Sequence, residues 1–257
     1  MNAEISERLT ESREALASVF RNRGLRRINL ALAGSVMGDW AYAVGVSVYA
    51  YRQGGATAVG VYGVARYLSM AAASPLTSML ADHHDRRRVM VVADLLRFAL
   101  VAMAGLVIAA DGPALAVYGL GLVTSIAGTA FRPAQMALLP NLAEHPGELT
   151  AANVASSTIE SVGFFAGPAV AGGLLAFADV AVVFGFNAAT FLWSALLVAR
   201  LPLHPAVAAE AAGPDDESVE PPGDPEPKPR LLAGASAGFR EILGNRDLTL
   251  LMALYCA

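Results

Sequence analysis

Six ionisable side chains stand inside otherwise apolar stretches of this chain: Asp39, Arg66, Asp94, Arg97, Arg132 and Glu160. Such groups are costly in a low dielectric, about 2.5–3.5 kcal/mol each for Asp, Lys or Arg at the centre of a bilayer-spanning helix. They persist where they pair, reach water, or take up and release a proton. Asp39 and Arg66 lie at similar depth in successive stretches, so an Asp39–Arg66 pair is expected. Asp94 and Arg97 are three apart and share a helix face. Arg132 lies near the depth of Asp82 and Asp94, which suits a fixed network of Asp94, Arg97 and Arg132 with the Asp82 loop. Glu160 sits well inside its stretch with no obvious charged partner. The bland account is a neutral or hydrogen-bonded glutamate using Ser156, Ser157 or Ser161. The sharper one is a carboxyl that binds and releases a proton, because low dielectric favours the neutral acid. Asp39 is the second candidate for that role.

The stretches that must position these groups are 28–51, 58–80, 89–110, 114–139, 151–176 and 180–199. Each is close to the ~20 residues needed to cross ~30 Å of hydrocarbon at ~1.5 Å per residue. The 257 residues are 55% hydrophobic and only 16% charged, with mean hydropathy +0.50, and the apolar residues cluster in blocks rather than in stripes. The fold class expected is an all-α membrane protein: a six-transmembrane-helix bundle, plus the start of a seventh span. Arg52-Gln-Gly-Gly and Asp111-Gly-Pro are turns by composition, and Phe177-Ala-Asp179 is a shorter one. Lys and Arg gather in the N-terminal segment, at Arg86–Arg88 and after Arg200, whereas the other side carries only Arg52. The N-terminus, the loop after the second stretch, the 140–150 loop and the segment after Arg200 are therefore expected in the cytoplasm, and the protein in the plasma membrane.

Four regions follow. Residues 1–27 form a cytoplasmic N-terminal segment, with a surface helix over 3–22, and 28–200 form the bundle. Residues 201–230 are a Pro-rich linker with seven acidic residues within 210–226, too poor in apolar surface to fold. Residues 231–257 resume with an amphipathic helix over 231–243 and an apolar run over 248–257 that looks like a span cut off part-way.

Several chemistries are excluded. The single cysteine, Cys256, permits no internal disulfide. His83 and His84 are adjacent and do not share one face, so no metal site is expected. There is no phosphate-binding glycine loop with lysine, and no nucleophile–base arrangement. No cofactor, no enzyme activity and no nucleic-acid partner are expected; the basic N-terminus suits anionic lipid better. The N-terminus lacks the pattern of a cleaved signal peptide.

Three motifs carry a family resemblance. The first is Ser78-Met-Leu-Ala-Asp82-His-His-Asp85-Arg86-Arg87-Arg88, similar to the signature loop Gly-x-Leu-Ala-Asp-Arg-x-Gly-Arg-Arg of the major facilitator superfamily. Asp82, Arg86 and Arg87 match; Ser78 and Asp85 replace the glycines, and His83 the usual basic residue. The second is Gly163-Phe-Phe-Ala-Gly167-Pro168-Ala-Val-Ala-Gly172-Gly173, which resembles the glycine-proline motif of drug:proton antiporters, one residue longer after the proline. Small residues allow close helix approach, and Pro168 can kink the helix. The third is Phe131-Arg-Pro-Ala-Gln…Leu139-Pro140…Leu149-Thr-Ala-Ala-Asn153, similar to the efflux branch that exports macrolides, tetracyclines and siderophores.

The resemblance implies a twelve-span transporter in two six-span halves, this chain being the N-terminal half, the linker and the start of the second half. It implies alternating access: two bundles rocking about a central site near the midplane. A gating role for Asp82, Asp85, Arg86 and Arg87 follows, since an acid at a helix end can latch an arginine or a helix N-terminus in one conformation and release it in another. The expected function is proton-gradient-driven efflux of a small amphipathic compound. Its partners would be that substrate, a proton or other coupling ion, the lipid bilayer and the missing C-terminal half. Tyr42, Ser47, Asp39, Ser125 and Thr129 could face the cavity. The competing expectation is a membrane sensor or scaffold module that transports nothing and is linked to a cytoplasmic regulatory domain.

Overall fold

The computed structural model describes residues 19–201, with the side chains of Leu76 and 78–83 left aside. The expected linker, amphipathic helix and seventh span lie outside the described residues, as do most of the N-terminal surface helix and the side chain of Asp82.

Every described element is helical: α1 (Arg23–His83), α2 (Arg86–Ala109), α3 (Ala114–Gly128), α4 (Phe131–Leu142), α5 (Pro146–Phe177) and α6 (Val180–Ala199). α1 is one helix only by continuity. It breaks at Gly54 and Gly55, where Gly55 has φ 63° and ψ −158°, a combination that L side chains avoid. The break gives two arms, 23–53 and 56–83. They fold back on each other: the Tyr42 and Tyr62 hydroxyls both lie against Gly121 of α3. The turn expected at Arg52-Gln-Gly-Gly thus takes only two non-helical residues.

Four segments are long and apolar enough to cross a membrane: α2, α3 with α4 taken together (Ala114–Leu142), α5 and α6. The arms of α1 fall outside that set. The single span expected over 114–139 is interrupted at Thr129 and Ala130. Pro133 offers no N–H to the Thr129 carbonyl and its ring crowds that oxygen. The loop expected over 140–150 is mostly helix instead. α4 runs to Leu142, and α5 starts at Pro146, capped by His145 Nδ1, which accepts from the Glu148 amide at 3.1 Å. Proline at the first helical position and an acid in the first turn are start signals.

Two apolar clusters flank a polar layer. One holds Ile28, Leu32, Met90, Phe131, Leu139 and Val198; the other holds Tyr42, Val46, Val101, Val117, Phe184 and Phe191. Between them α1 brings Asp39, α2 brings Asp94 and Arg97, and α6 brings Asn187 and Ser194, the last four buried. At the end that holds Ile28, the chain is tied across its length. Asn22 caps α1 through Oδ1 and donates from Nδ2 to the Leu142 carbonyl at 2.9 Å and to Glu148 at 3.2 Å. At the other end Arg52 pairs with Asp179 at 3.0 Å.

Candidate functional site

A cavity of about 730 Å³ opens on one side of the bundle. Its floor is the polar layer: Asp39 from α1, Arg66 from the second arm, Arg97 from α2 and Ser125 from α3. Its walls are aromatic, with Trp40, Tyr42 and Tyr67 from α1 and Phe164 and Phe165 from α5. Trp40 and Phe164 meet edge to face at 4.7 Å, a favoured ring geometry.

The charges pair, but not as depth alone predicts. Asp39 is bound by Arg97, whose Nη2 donates to Oδ1 at 2.6 Å and to Oδ2 at 2.7 Å. Arg66 is directed elsewhere, its Nε donating to Ser125 Oγ at 3.1 Å. The expected Asp39–Arg66 pair is therefore replaced. The second arm runs alongside α3 (Thr77 and Thr129 hydroxyls meet at 2.8 Å), so Arg66 meets Ser125. Arg97 instead lies on the ring of Phe191, 3.8 Å from its centroid, and is aimed at α1. Arg97 also stands 3.6 Å from Asp94 on its own helix face. Both are buried, while Asp39 is 39% exposed toward the cavity.

Glu160 does have a partner. Arg132 reaches it from α4 and also donates to Gln135 Oε1 at 2.9 Å. Among the described residues, Arg132 is thus paired with Glu160 and not with Asp94; the side chain of Asp82 lies outside them. The serines proposed as partners of Glu160 bond elsewhere: Ser156 to Asn29 at 3.2 Å, Ser157 to the Asn153 carbonyl and Ser161 to the Ser157 carbonyl. Glu160 and Arg132 are about two-fifths exposed, and Glu160 lines the cavity. Of the other polar candidates, Tyr42 and Ser125 line the cavity. Ser47 turns back onto the Ala43 carbonyl and lines a neighbouring apolar depression beyond Trp40 and Phe165.

The signature loop sits at the cluster that holds Ile28. Asp85, in place of a glycine, caps α2: its Oδ1 accepts from the Arg87 amide at 2.9 Å and the Arg88 amide at 3.3 Å. Arg86 donates to the Ala137 carbonyl of α4 at 3.0 Å. Arg87 donates to the Ala199 carbonyl, and Arg27 to the Arg200 carbonyl. Two guanidinium groups thus satisfy the end of α6, where free carbonyls and the helix dipole attract cations.

The glycine motif divides in two. A methyl on Gly163 would come within 2.5 Å of Val36, and one on Gly167 within 2.4 Å of Trp40 Cβ and 2.8 Å of the Met37 carbonyl. These two glycines let α5 lie directly on the first arm of α1. Among the described residues, a methyl on Gly172 or Gly173 would meet nothing within 4 Å. Pro168 lies inside an uninterrupted α5 and lines the neighbouring depression.

A family model described as Major Facilitator Superfamily matches residues 28–257. The chain belongs to that superfamily. Its major-facilitator membership and its apolar helices make it a multi-pass membrane protein. It is similar to the multidrug efflux pump Tap of Mycobacterium tuberculosis (strain ATCC 25618 / H37Rv) and of Mycobacterium bovis (strain BCG / Pasteur 1173P2), 31% identical over 231 residues in each. The match covers 82% of this chain and 52% of each relative, so the chain spans about half the length of the curated relatives it matches. No solved structure matches it.

Sequence reasoning missed the aromatic wall of Trp40, Tyr67, Phe164 and Phe165, because helix rotation is not encoded in hydropathy. It also missed Gln135. That residue lies three positions beyond Arg132, a spacing that marks a shared face.

Proposed function

We propose that the chain supplies the N-terminal bundle of an exporter that drives a small amphipathic compound out of the cell by alternating access, coupled to a proton gradient. The observation that carries this is the cavity of about 730 Å³, walled by aromatic rings and floored by the Arg97–Asp39 pair and Arg66, in a chain similar to multidrug efflux pumps. Aromatic faces and isolated charges bind amphipathic molecules without demanding one shape. The family and the cavity point to transport rather than catalysis.

In this reading six spans cross the plasma membrane. The two arms of α1 count as the first pair, α3 with α4 as the fourth, and the N-terminus and the signature loop are cytoplasmic. The bundle ends near residue 200, 201–230 link it onward, and 231–257 begin a second bundle that closes the cavity. Asp82, Asp85, Arg86 and Arg87 form the gating end. The arginine grip on the end of α6 supports that role, because it can let go when the bundle rocks. Gly172 and Gly173 offer a smooth open strip of α5 to an opposing bundle, as Gly163 and Gly167 do to α1. Asp39 and Glu160 are the cavity carboxylates through which protons and substrate interact.

The test is an uptake-and-efflux panel of lipophilic dyes on cells expressing the full-length gene product, with and without an uncoupler. Uncoupler-sensitive export is expected; flux unchanged by the uncoupler removes the proton gradient from the account, and no flux removes export. A tag between Gly54 and Gly55 should be reached from outside the cell only. Labelling from inside overturns the topology.

A further inference from the structure

Arg66, Arg97 and Arg132 stand at the cavity, and among the described residues only Arg97 and Arg132 have a carboxylate within ion-pair distance. Arg66 has a hydroxyl instead: its Nε donates to Ser125 Oγ at 3.1 Å. That hydroxyl in turn donates to the Gly121 carbonyl at 2.9 Å. Both Nη nitrogens of Arg66 are left over, on a half-buried side chain that lines the cavity. Guanidinium nitrogens only donate, and a cation well inside a spanning helix is costly without a counter-charge.

The groups around Arg66 are donors as well. The Tyr42 and Tyr62 hydroxyls are buried and have no hydrogen-bond partner among the described residues, which leaves polar groups unsatisfied at a cost. They converge on α3: a methyl on Gly121 would stand 2.7 Å from the Tyr42 hydroxyl and 2.4 Å from that of Tyr62. Gly121 is one turn before Ser125, and Tyr62 is one turn before Arg66, so Tyr42, Tyr62, Arg66 and Ser125 meet along one face of α3. Tyr42 lines the cavity and Tyr62 does not, which makes Tyr42 the nearer donor for a ligand. Asp39, on the same face of α1 as Tyr42, is already held by Arg97 at 2.6 Å and 2.7 Å. A free cation beside a free O–H, with the neighbouring acids paired, selects negative charge.

We infer that Arg66 and Tyr42 form an anion subsite of the cavity, and that the exported compound is an acidic amphiphile whose carboxylate docks there. Its apolar body lies against Trp40, Phe164 and Phe165 of the same cavity. The carboxylate accepts from the Nη nitrogens and supplies the counter-charge that Arg66 lacks. Ser125 keeps Nε and so fixes the direction of the guanidinium. The subsite rests on the export reading above and deepens it by naming the class of cargo.

The experiment uses the full-length protein in lipid discs, with empty discs as the blank. Its probes are pyrenebutyrate and the neutral amide of the same acid, which share one ring system. Affinity is read by energy transfer from tryptophan to pyrene. The acid should bind about tenfold more tightly than the amide, as a hydrogen bond to a charged group provides. Arg66→Gln should remove that preference by weakening the acid and leaving the amide unchanged. Tyr42→Phe should weaken the acid alone, by a smaller factor; an unchanged acid affinity removes Tyr42 from the subsite. Equal affinity of the unmodified protein for acid and amide, as when a carboxylate of the second bundle already holds Arg66, overturns the proposal. So does a preference that survives Arg66→Gln. Replacing methanesulfonate by chloride at fixed ionic strength should leave acid binding unchanged; acid displaced by chloride reassigns Arg66 to an inorganic anion and overturns the cargo class. Should Arg66→Gln fail to fold, the comparison of acid with amide on the unmodified protein still decides. Binding is read without a gradient, so failure of uncoupler-sensitive export and failure of the anion subsite are separate results.

Discussion

The two arginine–carboxylate pairs of the cavity sit in contrasting environments. Arg97 is 7% exposed, lies on an aromatic face and answers two acids. Arg132 is 38% exposed, and the Glu160 it meets is 42% exposed. The first pair is embedded between helices, so its loss strands charge. The second stands at the cavity wall, where water or a bound molecule can replace either partner. Similar chemistry thus serves two ends: one pair holds the polar layer together, and the other is a loose contact between α4 and α5.

Four substitutions test this contrast, taken in order of decreasing effect. Arg97→Ala should be worst. Removing one partner of a buried ion pair typically costs about 3–5 kcal/mol, and here two acids lose their cation. Thermal unfolding in detergent should drop sharply, and the effect should survive high salt. A mild loss would place Arg97 in water and end the contrast. Asp39→Asn should cost less, since Arg97 keeps Asp94 within 3.6 Å, and the same melt should fall between the two extremes. Gly128→Ala sharpens the comparison without touching a charge. Its methyl would meet Arg97 Nε at 3.3 Å, a crowding expected to cost about 1 kcal/mol as Arg97 gives way. Glu160→Gln should be smallest, about 0–1 kcal/mol as for exposed pairs, and that small effect should fade with added salt. A larger loss than that of Asp39→Asn would reverse the ranking.

Much of the architecture was legible in the sequence because it depends on length and turn chemistry. Blocks of apolar residues and the Gly54-Gly55, Asp111-Gly-Pro and Ala178-Asp179 junctions placed nearly every helix end. Boundaries slipped where proline acts locally. Pro133 splits one expected span, and Pro146 with Glu148 starts α5 inside an expected loop. Both signals were present and lost to the hydropathy average. The site was less legible. Depth along a helix can be counted, so Asp94 and Arg97 were correctly put on one face. The azimuth cannot be counted, so Arg66 was assigned to Asp39 when Arg97 holds it. Glu160 shows no partner in the sequence for the same reason: Arg132 is 28 residues away and on another helix. Of the glycine motif, Gly163 and Gly167 lie where a methyl would strike Val36 and Trp40 of α1. That its second half is open follows only from where α1 lies.

The first arm of α1 finds its companions far downstream. Asn22 waits for Leu142 and Glu148, Asn29 for Ser156, Gly38 for Asn187 and Thr190, and Arg27 for the Arg200 carbonyl. During synthesis the N-terminal part emerges first. The opening helix must therefore wait largely unaccompanied, its Asp39 without Arg97 until α2 arrives. Packing of the first arm is complete only once α6 is made, so a ribosome stalled before residue 180 leaves the Gly38 face of that arm uncovered.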